Sequence, residues 1–194
     1  VIKLLAIAER VEADENGEAG VSVRVHPALI ERDHPLGAVH GAFNAVFVEA
    51  EAAGSLMFYG AGAGGVQTAS AVLGDLVSAA KRHVAGGPGL ADSVHANLAI
   101  LPIDRAYTRY QITLEVTDQP GILAKIANVF ADHGVSIETV EQSVRQTGGK
   151  RRSTATLEVG THVATDASLS SVVKALAANA AVESITSVIR VEGI

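Results

Sequence analysis

Tyr110-Gln111-Ile112-Thr113-Leu114-Glu115-Val116-Thr117-Asp118-Gln119-Pro120-Gly121-Ile122-Leu123-Ala124-Lys125-Ile126 decides the fold of the second half of this chain. Tyr110, Ile112, Leu114 and Val116 alternate with polar partners, the period of two of a half-buried strand. Asp118-Gln119-Pro120-Gly121 breaks that period, and Ile122, Leu123, Ile126, Ala127 and Phe130 then follow a helical repeat that Gly134 terminates. Downstream, Ile137 to Val144 and Thr154 to Val159 form a hairpin around the polar turn at residues 146–152. Ser168 or Asp166 can cap a helix through Leu169, Val172, Val173 and Leu176, and Val182 to Val191 is a last strand. The order β-α-β-β-α-β predicts a ferredoxin-like module with both helices on one face of a four-stranded sheet.

Upstream, residues 1–8 are strand-like. The acidic stretch from Glu12 to Gly20 has the character of a hairpin turn, and Val21, Val23 and Val25 alternate with Ser22, Arg24 and His26, the period of two expected of a half-buried strand. Asn44 to Val48 and Ser55 to Tyr59 are two further strands around the turn at Glu49 to Gly54. After glycines 60, 62, 64 and 65, Thr68 is placed to cap a helix to about Arg82, with Ala69, Val72, Leu73, Leu76, Val77 and Ala80 on its apolar side. These elements predict an α+β module, an antiparallel or mixed sheet covered by a helix, at residues 1–84. A connector at 85–107 containing Gly86-Gly87-Pro88-Gly89 separates it from the ferredoxin-like module at 108–194.

Composition removes several function classes. Of 194 residues 48% are hydrophobic, yet charges and glycine-rich turns interrupt every apolar run before membrane-helix length. Fifteen Lys and Arg against 21 Asp and Glu give a net charge of −6, which offers no field for a nucleic acid backbone. The chain has no cysteine, so disulfides and thiolate chemistry are absent and a reducing cytoplasm is permitted. The histidines lack metal-ligand spacing, no nucleophile elbow holds a serine, and Arg145, Lys150, Arg151 and Arg152 are a solvated hairpin tip. The chain begins in a strand without an initiating Met, as expected of a piece of a longer polypeptide.

Asp118-x-Pro120-Gly121-x-Leu123-x-x-Ile126 on this topology resembles the ACT domain, over residues 108–194. Val25-His26-Pro27-Ala28-Leu29-Ile30, His34-Pro35-Leu36, Phe43-Asn44-Ala45-Val46, Gly60-x-Gly62-Ala63-Gly64, Thr68-Ala69 and Gly74-Asp75 are similar to the C-terminal part of homoserine dehydrogenases, over residues 1–82. Together they resemble the stand-alone, threonine-regulated members rather than those fused to aspartate kinase. The resemblance implies a homo-oligomeric enzyme that reduces aspartate semialdehyde to homoserine with NADP or NAD. It also implies that the dinucleotide-binding domain and the catalytic Asp and Lys precede residue 1, so this segment alone is expected to be inactive.

Sites follow at two places. The Gly60–Gly65 loop lacks the dinucleotide fingerprint spacing and by itself reads more readily as a tight strand-to-helix turn than as a cofactor loop. The resemblance places Gly64, then Gly62 and Gly60, beside the cofactor. At the start of the ACT helix, free amides and the helix dipole suit a carboxylate, while Asp118 can take an ammonium group or simply cap the helix. The implied effector site is Asp118, Gly121, Ile122 and Leu123 of one copy facing Ser136, Ile137 and Glu138 of another, with threonine the implied effector. A different class of function, a non-catalytic, dimerising amino-acid-binding module, rests on the ACT half alone, and a purely structural reading treats both sheets as dimerisation elements.

Overall fold

A computed structural model describes residues 1–13, 17–86, 97–145 and 154–193. The chain forms two compact units, and their division departs from the expected cut after residue 84. Val1–Glu31 and Leu98–Ile194 make one unit, and Arg32–Asn97 makes the other. Long-range strand pairing is the reason: β1 (Ile2–Val11) and β2 (Gly20–Leu29) form an antiparallel hairpin, and β2 pairs in parallel with a strand from the chain's far end.

In the first unit, β5 (Ala99–Leu101) and a 3₁₀ turn at Ile103–Arg105 lead into β6 (Tyr107–Thr117), followed by α2 (Ile122–Asp132), β7 (Ile137–Arg145), β8 (Thr154–Thr161), the two-residue β9 (Ala164–Thr165), α3 (Asp166–Ala178) and β10 (Val182–Val191). The sheet order is β1-β2-β10-β6-β8-β7, so the four ferredoxin-like strands stand as expected and the hairpin extends them at the β10 edge. Leu114 lies opposite Ile185 and Leu157, and Ile112 opposite Val188 and Val159. Ile112, Leu114, Val116, Leu157 and Val159 are fully buried against Ile126 and Phe130 of α2 and Leu169, Val172 and Leu176 of α3. Each such side chain contributes about 1.5–3 kcal/mol relative to exposure.

The helix ends have clear local causes. Gly121, at φ 83°, turns the chain into α2. At the other end Gly134, at φ 68°, donates to Ala131 O at 3.0 Å and Val135 donates to Phe130 O at 3.0 Å. That pair of bonds is a Schellman cap, sealed by Phe130 and Val135 in the core. α3 is capped by Thr165, whose Oγ1 accepts from Ser168 N–H at 3.3 Å, so neither expected residue is the cap. Asp166, at the first helical position, is buried instead. It accepts from Tyr110 Oη at 2.9 Å and Arg190 Nε at 2.9 Å.

β2 turns its polar side inward. Ser22, Arg24 and His26 are buried, whereas Val23 and Val25 are 51% and 70% exposed. Alternation fixes the period of a strand but not which side is covered. The inward polar side is tolerated because Arg24 pairs with Glu192 at 3.2 Å and Glu9 at 2.9 Å. Burial alone would lower the Arg24 pKa, and the hydrogen bonds and charges of Glu192 and then Glu9 reverse that and raise it.

In the second unit, a 3₁₀ turn at Pro35–Ala38 precedes an antiparallel pair, β3 (Phe43–Ala50) and β4 (Gly54–Ala61), and then α1 (Gly65–Ala85). Phe43 stacks on Tyr59 across the pair with ring centroids 5.0 Å apart. α1 starts three residues before Thr68: Gly64 is the N-cap, with no side chain to make a cap bond, and Thr68 N–H already closes the first helical bond to Gly64 O at 3.0 Å. The apolar stripe of α1 formed as expected, yet no residue of the helix is buried, and Val72, Leu73 and Leu76 are more than half exposed.

Candidate functional sites

The glycine loop joins β4 to α1. Gly60 is opposite Asn44 in the strand pair, and Gly62 N–H donates to Ala42 O at 3.1 Å. A Cβ on Gly62 would collide with the Asn44 amide, and one on Gly64, already at φ 138°, with the Gln67 side chain. At Gly60 and Gly65, by contrast, a Cβ would meet nothing within 4 Å, so that side of the loop is open to an incoming group. The first turn of α1 contains no acidic residue, and the N–H groups of Gly65, Val66 and Gln67 have no intrahelical acceptor. An open groove of about 630 Å³ runs from there along Gly64, Gly65, Thr68, Ala69, Val72 and Leu73. This arrangement suits an anionic group at the helix entrance and an apolar surface beside it, as a nicotinamide cofactor presents. Asn44 and Gln67 went unassigned in the sequence, although Asn44 stands inside one of the quoted motifs.

The second candidate divides along α2. Asp118, Gly121 and Leu123 are exposed at its entrance. Ile122 is different: its side chain belongs to the core and its N–H donates to Gln119 O at 3.2 Å, so it offers a ligand neither. Lys125 N–H closes the first helical bond to Gly121 O, which leaves the Leu123 and Ala124 amides open. Ser136 and Ile137 stand at the other end, in a depression of about 440 Å³ with Ala127, Phe130, Ala131, Gly134 and Val135. α2 has 11 residues, so roughly 16 Å separates the two groups, and a single copy does not bring them together. Glu138 is held by Arg109 at 3.2 Å. Ala127 was read in the sequence only as part of the helical repeat and Ala131 not at all; two alanines four apart on one helix face make room for this depression.

The turn at 146–152, with Lys150, Arg151 and Arg152 of the basic hairpin tip, lies outside the described residues. Among the described residues no His, Asp and Glu group is arranged to hold a metal, and no helix is long and apolar enough to cross a membrane.

A four-stranded ferredoxin-like sheet whose first helix is entered through an Asp-x-Pro-Gly turn defines a module of the ACT class, and the ACT domain model matches residues 110–181. Residues 1–77 match the homoserine dehydrogenase model. The chain belongs to the homoserine dehydrogenase family. It is 53% identical to the homoserine dehydrogenase of Mycobacterium tuberculosis over 99% of its own length and 43% of that relative's. It is 47% identical to that of Corynebacterium glutamicum, over 98% and 41%. The crystal structure of a homoserine dehydrogenase from Thiobacillus denitrificans superposes with a TM-score of 0.84 at 36% identity, over 98% of this chain and 42% of that one. The chain thus spans less than half the length of the relatives it matches.

Proposed function

We propose that this chain supplies the C-terminal catalytic-domain segment and the amino-acid sensor of an NAD(P)-dependent homoserine dehydrogenase that reduces aspartate semialdehyde in the cytoplasm. The observation that carries the reading is its likeness to homoserine dehydrogenases along nearly its whole length, with the glycine loop open on the side where a cofactor would approach. When bound, the nicotinamide supplies the hydride. The role of this chain is to border it: Gly60 leaves room on the open side, Gly62 and Gly64 let the loop turn tightly past Asn44 and Gln67, and the first-turn amides of α1 face its negative charge. The Asp and Lys that act on the substrate belong to the segment preceding residue 1, so this chain alone is silent. In a full-length enzyme carrying this segment, Gly64→Val should lower kcat/KM by at least about tenfold, because a displaced reacting group is costly. Unchanged kinetics would remove Gly64 from the site.

The sensor half is proposed to bind threonine between two copies of the chain. Asp118 meets the ammonium group and the Leu123 and Ala124 amides meet the carboxylate, while the depression at Ser136 and Ile137 of the other copy closes the site. The separation of these groups along α2 supports a shared site, and with it a homo-oligomer. β2 meets the β10 edge of the four-stranded sheet only at its last two residues, and β7 at the opposite end has no outer neighbour among the described residues, which makes it an edge for pairing side by side. Titration calorimetry should give heat with threonine, and ligand should raise the unfolding midpoint by mass action. Gly121→Glu should abolish both by bringing a like charge to the carboxylate. Gly121→Ala is the control, with the same left-handed backbone strain but no charge. Heat with isoleucine or methionine instead would keep the sensor and change the effector.

A further inference from the structure

The hairpin β1–β2 is fastened to the sensor sheet mainly by side chains. β2 pairs with β1 along its whole length but with β10 only at Ala28 opposite Arg190 and Leu29 opposite Val191, extended by Glu192 N–H to Leu29 O at 2.9 Å. β5 takes the other end of that side, at Gly20 to Ser22. Among the described residues no strand pairs with Val23 to Pro27 there. What crosses the gap is the Glu192 carboxylate, which accepts from Arg24 Nη2 at 3.2 Å, Arg24 Nε at 3.4 Å and Thr108 Oγ1 at 3.2 Å. The Arg24 side chain is 3% exposed and Glu192 12%. His26 Nε2 lies 3.5 Å from the same carboxylate, buried and without a hydrogen bond.

Glu192 also stands at the end of a continuous run of packed groups. The turn at residues 118–123 opens α2, α2 packs on α3, and Asp166 at the start of α3 holds Arg190 through both Nε and Nη2, at 2.9 and 2.7 Å. Two residues beyond Arg190 is Glu192. A buried charge whose partner moves must find another or lose several kcal/mol, so such a joint is sensitive to small displacements of β10. If Glu192 withdraws, Arg24 retains one carboxylate, Glu9, which is 45% exposed, and a 3.4 Å hydrogen bond to the Ser22 hydroxyl.

We infer that the Glu192–Arg24 pair is the coupling joint through which an amino acid bound at the α2 turn alters the docking of the amino-terminal hairpin. The inference rests on the proposed sensor function. An effector moves this equilibrium only if it binds the docked and loosened forms with different affinity, and the coupling is reciprocal. It therefore names Glu192 and Arg24, outside the effector site, as residues that transmit without binding.

Amide hydrogen exchange of this chain, read at residues 2–11 and 20–29 with and without threonine beside calorimetry on the same sample, tests it. Saturating threonine should change hairpin exchange by at least about fivefold, the low end of typical coupling factors. In Glu192→Gln the hairpin should exchange faster without ligand and cease to respond to threonine, which still binds. Arg24→Lys, which keeps the charge and loses the fork, should fall between the two. If threonine gives heat while wild-type hairpin exchange is unchanged, or if Glu192→Gln responds like wild type, the joint is overturned and the sensor stands. If threonine, isoleucine and methionine all give no heat, the sensor function falls and the joint with it.

Discussion

The sheet and helices from Tyr107 onward and the elements from Arg32 to Gly86 are built from similarly patterned apolar residues, yet they end in opposite states. In the former, Ile126, Phe130, Leu169, Val172 and Leu176 bury one face of each helix completely. In the latter, a 21-residue helix with an equally plain stripe buries nothing. An apolar stripe states which side of an element is to be covered, and the cover must come from elsewhere when the same unit holds too few partners. The first region should consequently carry its stability within this chain, whereas the second displays surface without gaining from it.

Four substitutions separate the regions. Phe130→Ala, in the filled core, should cost about 3–5 kcal/mol in chemical denaturation and unfold the first unit cooperatively. A loss below 1 kcal/mol would break the contrast. Tyr110→Phe removes a hydrogen bond to a buried carboxylate and should cost about 1–2 kcal/mol at neutral pH. Burial first, opposed by the hydrogen bond to Ser170 and reinforced by Asp166, raises the Tyr110 pKa. The hydroxyl's contribution is therefore complete below the ordinary tyrosine value of about 10 and vanishes as pH climbs through the higher folded value. The gap between wild type and Tyr110→Phe, followed by denaturation at increasing pH, should close only in strongly alkaline solution. Thr165→Ala should cost about 1 kcal/mol as loss of a true N-cap, measured by thermal melting. Leu76→Ala, on the bare stripe of α1, should change stability by less than about 0.5 kcal/mol; a core-sized loss there would show that the helix is covered after all.

The sequence made some of this plain and concealed the rest for physical reasons. Elements from Tyr107 on were legible because alternation, the Asp118 to Gly121 break, helical spacing and Gly134 all agree over short distances. The α3 cap was misplaced by one to three residues because Thr165, Asp166 and Ser168 are all competent cap residues, and only Asp166's engagement with Arg190 removes it from that role. The α1 start was misplaced because glycine at position 64 gives no side-chain signal. Nothing local in Val21 to His26 distinguishes valine-in from arginine-in, since the deciding partner, Glu192, is 168 residues away. The same separation hid the membership of β1 and β2 in the ferredoxin-like sheet. At the candidate sites the glycines and the Asp118 turn were readable as motifs. Ile122 was not separable from its exposed neighbours, and the Ala127 and Ala131 depression needs the folded helix to be seen.

The first unit is assembled from two stretches of chain, with the second inserted between them. A single cut by a protease anywhere between Arg32 and Asn97 would therefore sever the polypeptide without severing the fold. The product would be a nicked heterodimer, its amino-terminal peptide retained by β-sheet pairing and a buried ion pair, running as two bands under denaturing conditions and as one species on a native column. The same topology makes the chain a ready split protein: two separately expressed pieces would regain one sheet only on meeting, and their reassembly would report the hairpin's docking directly.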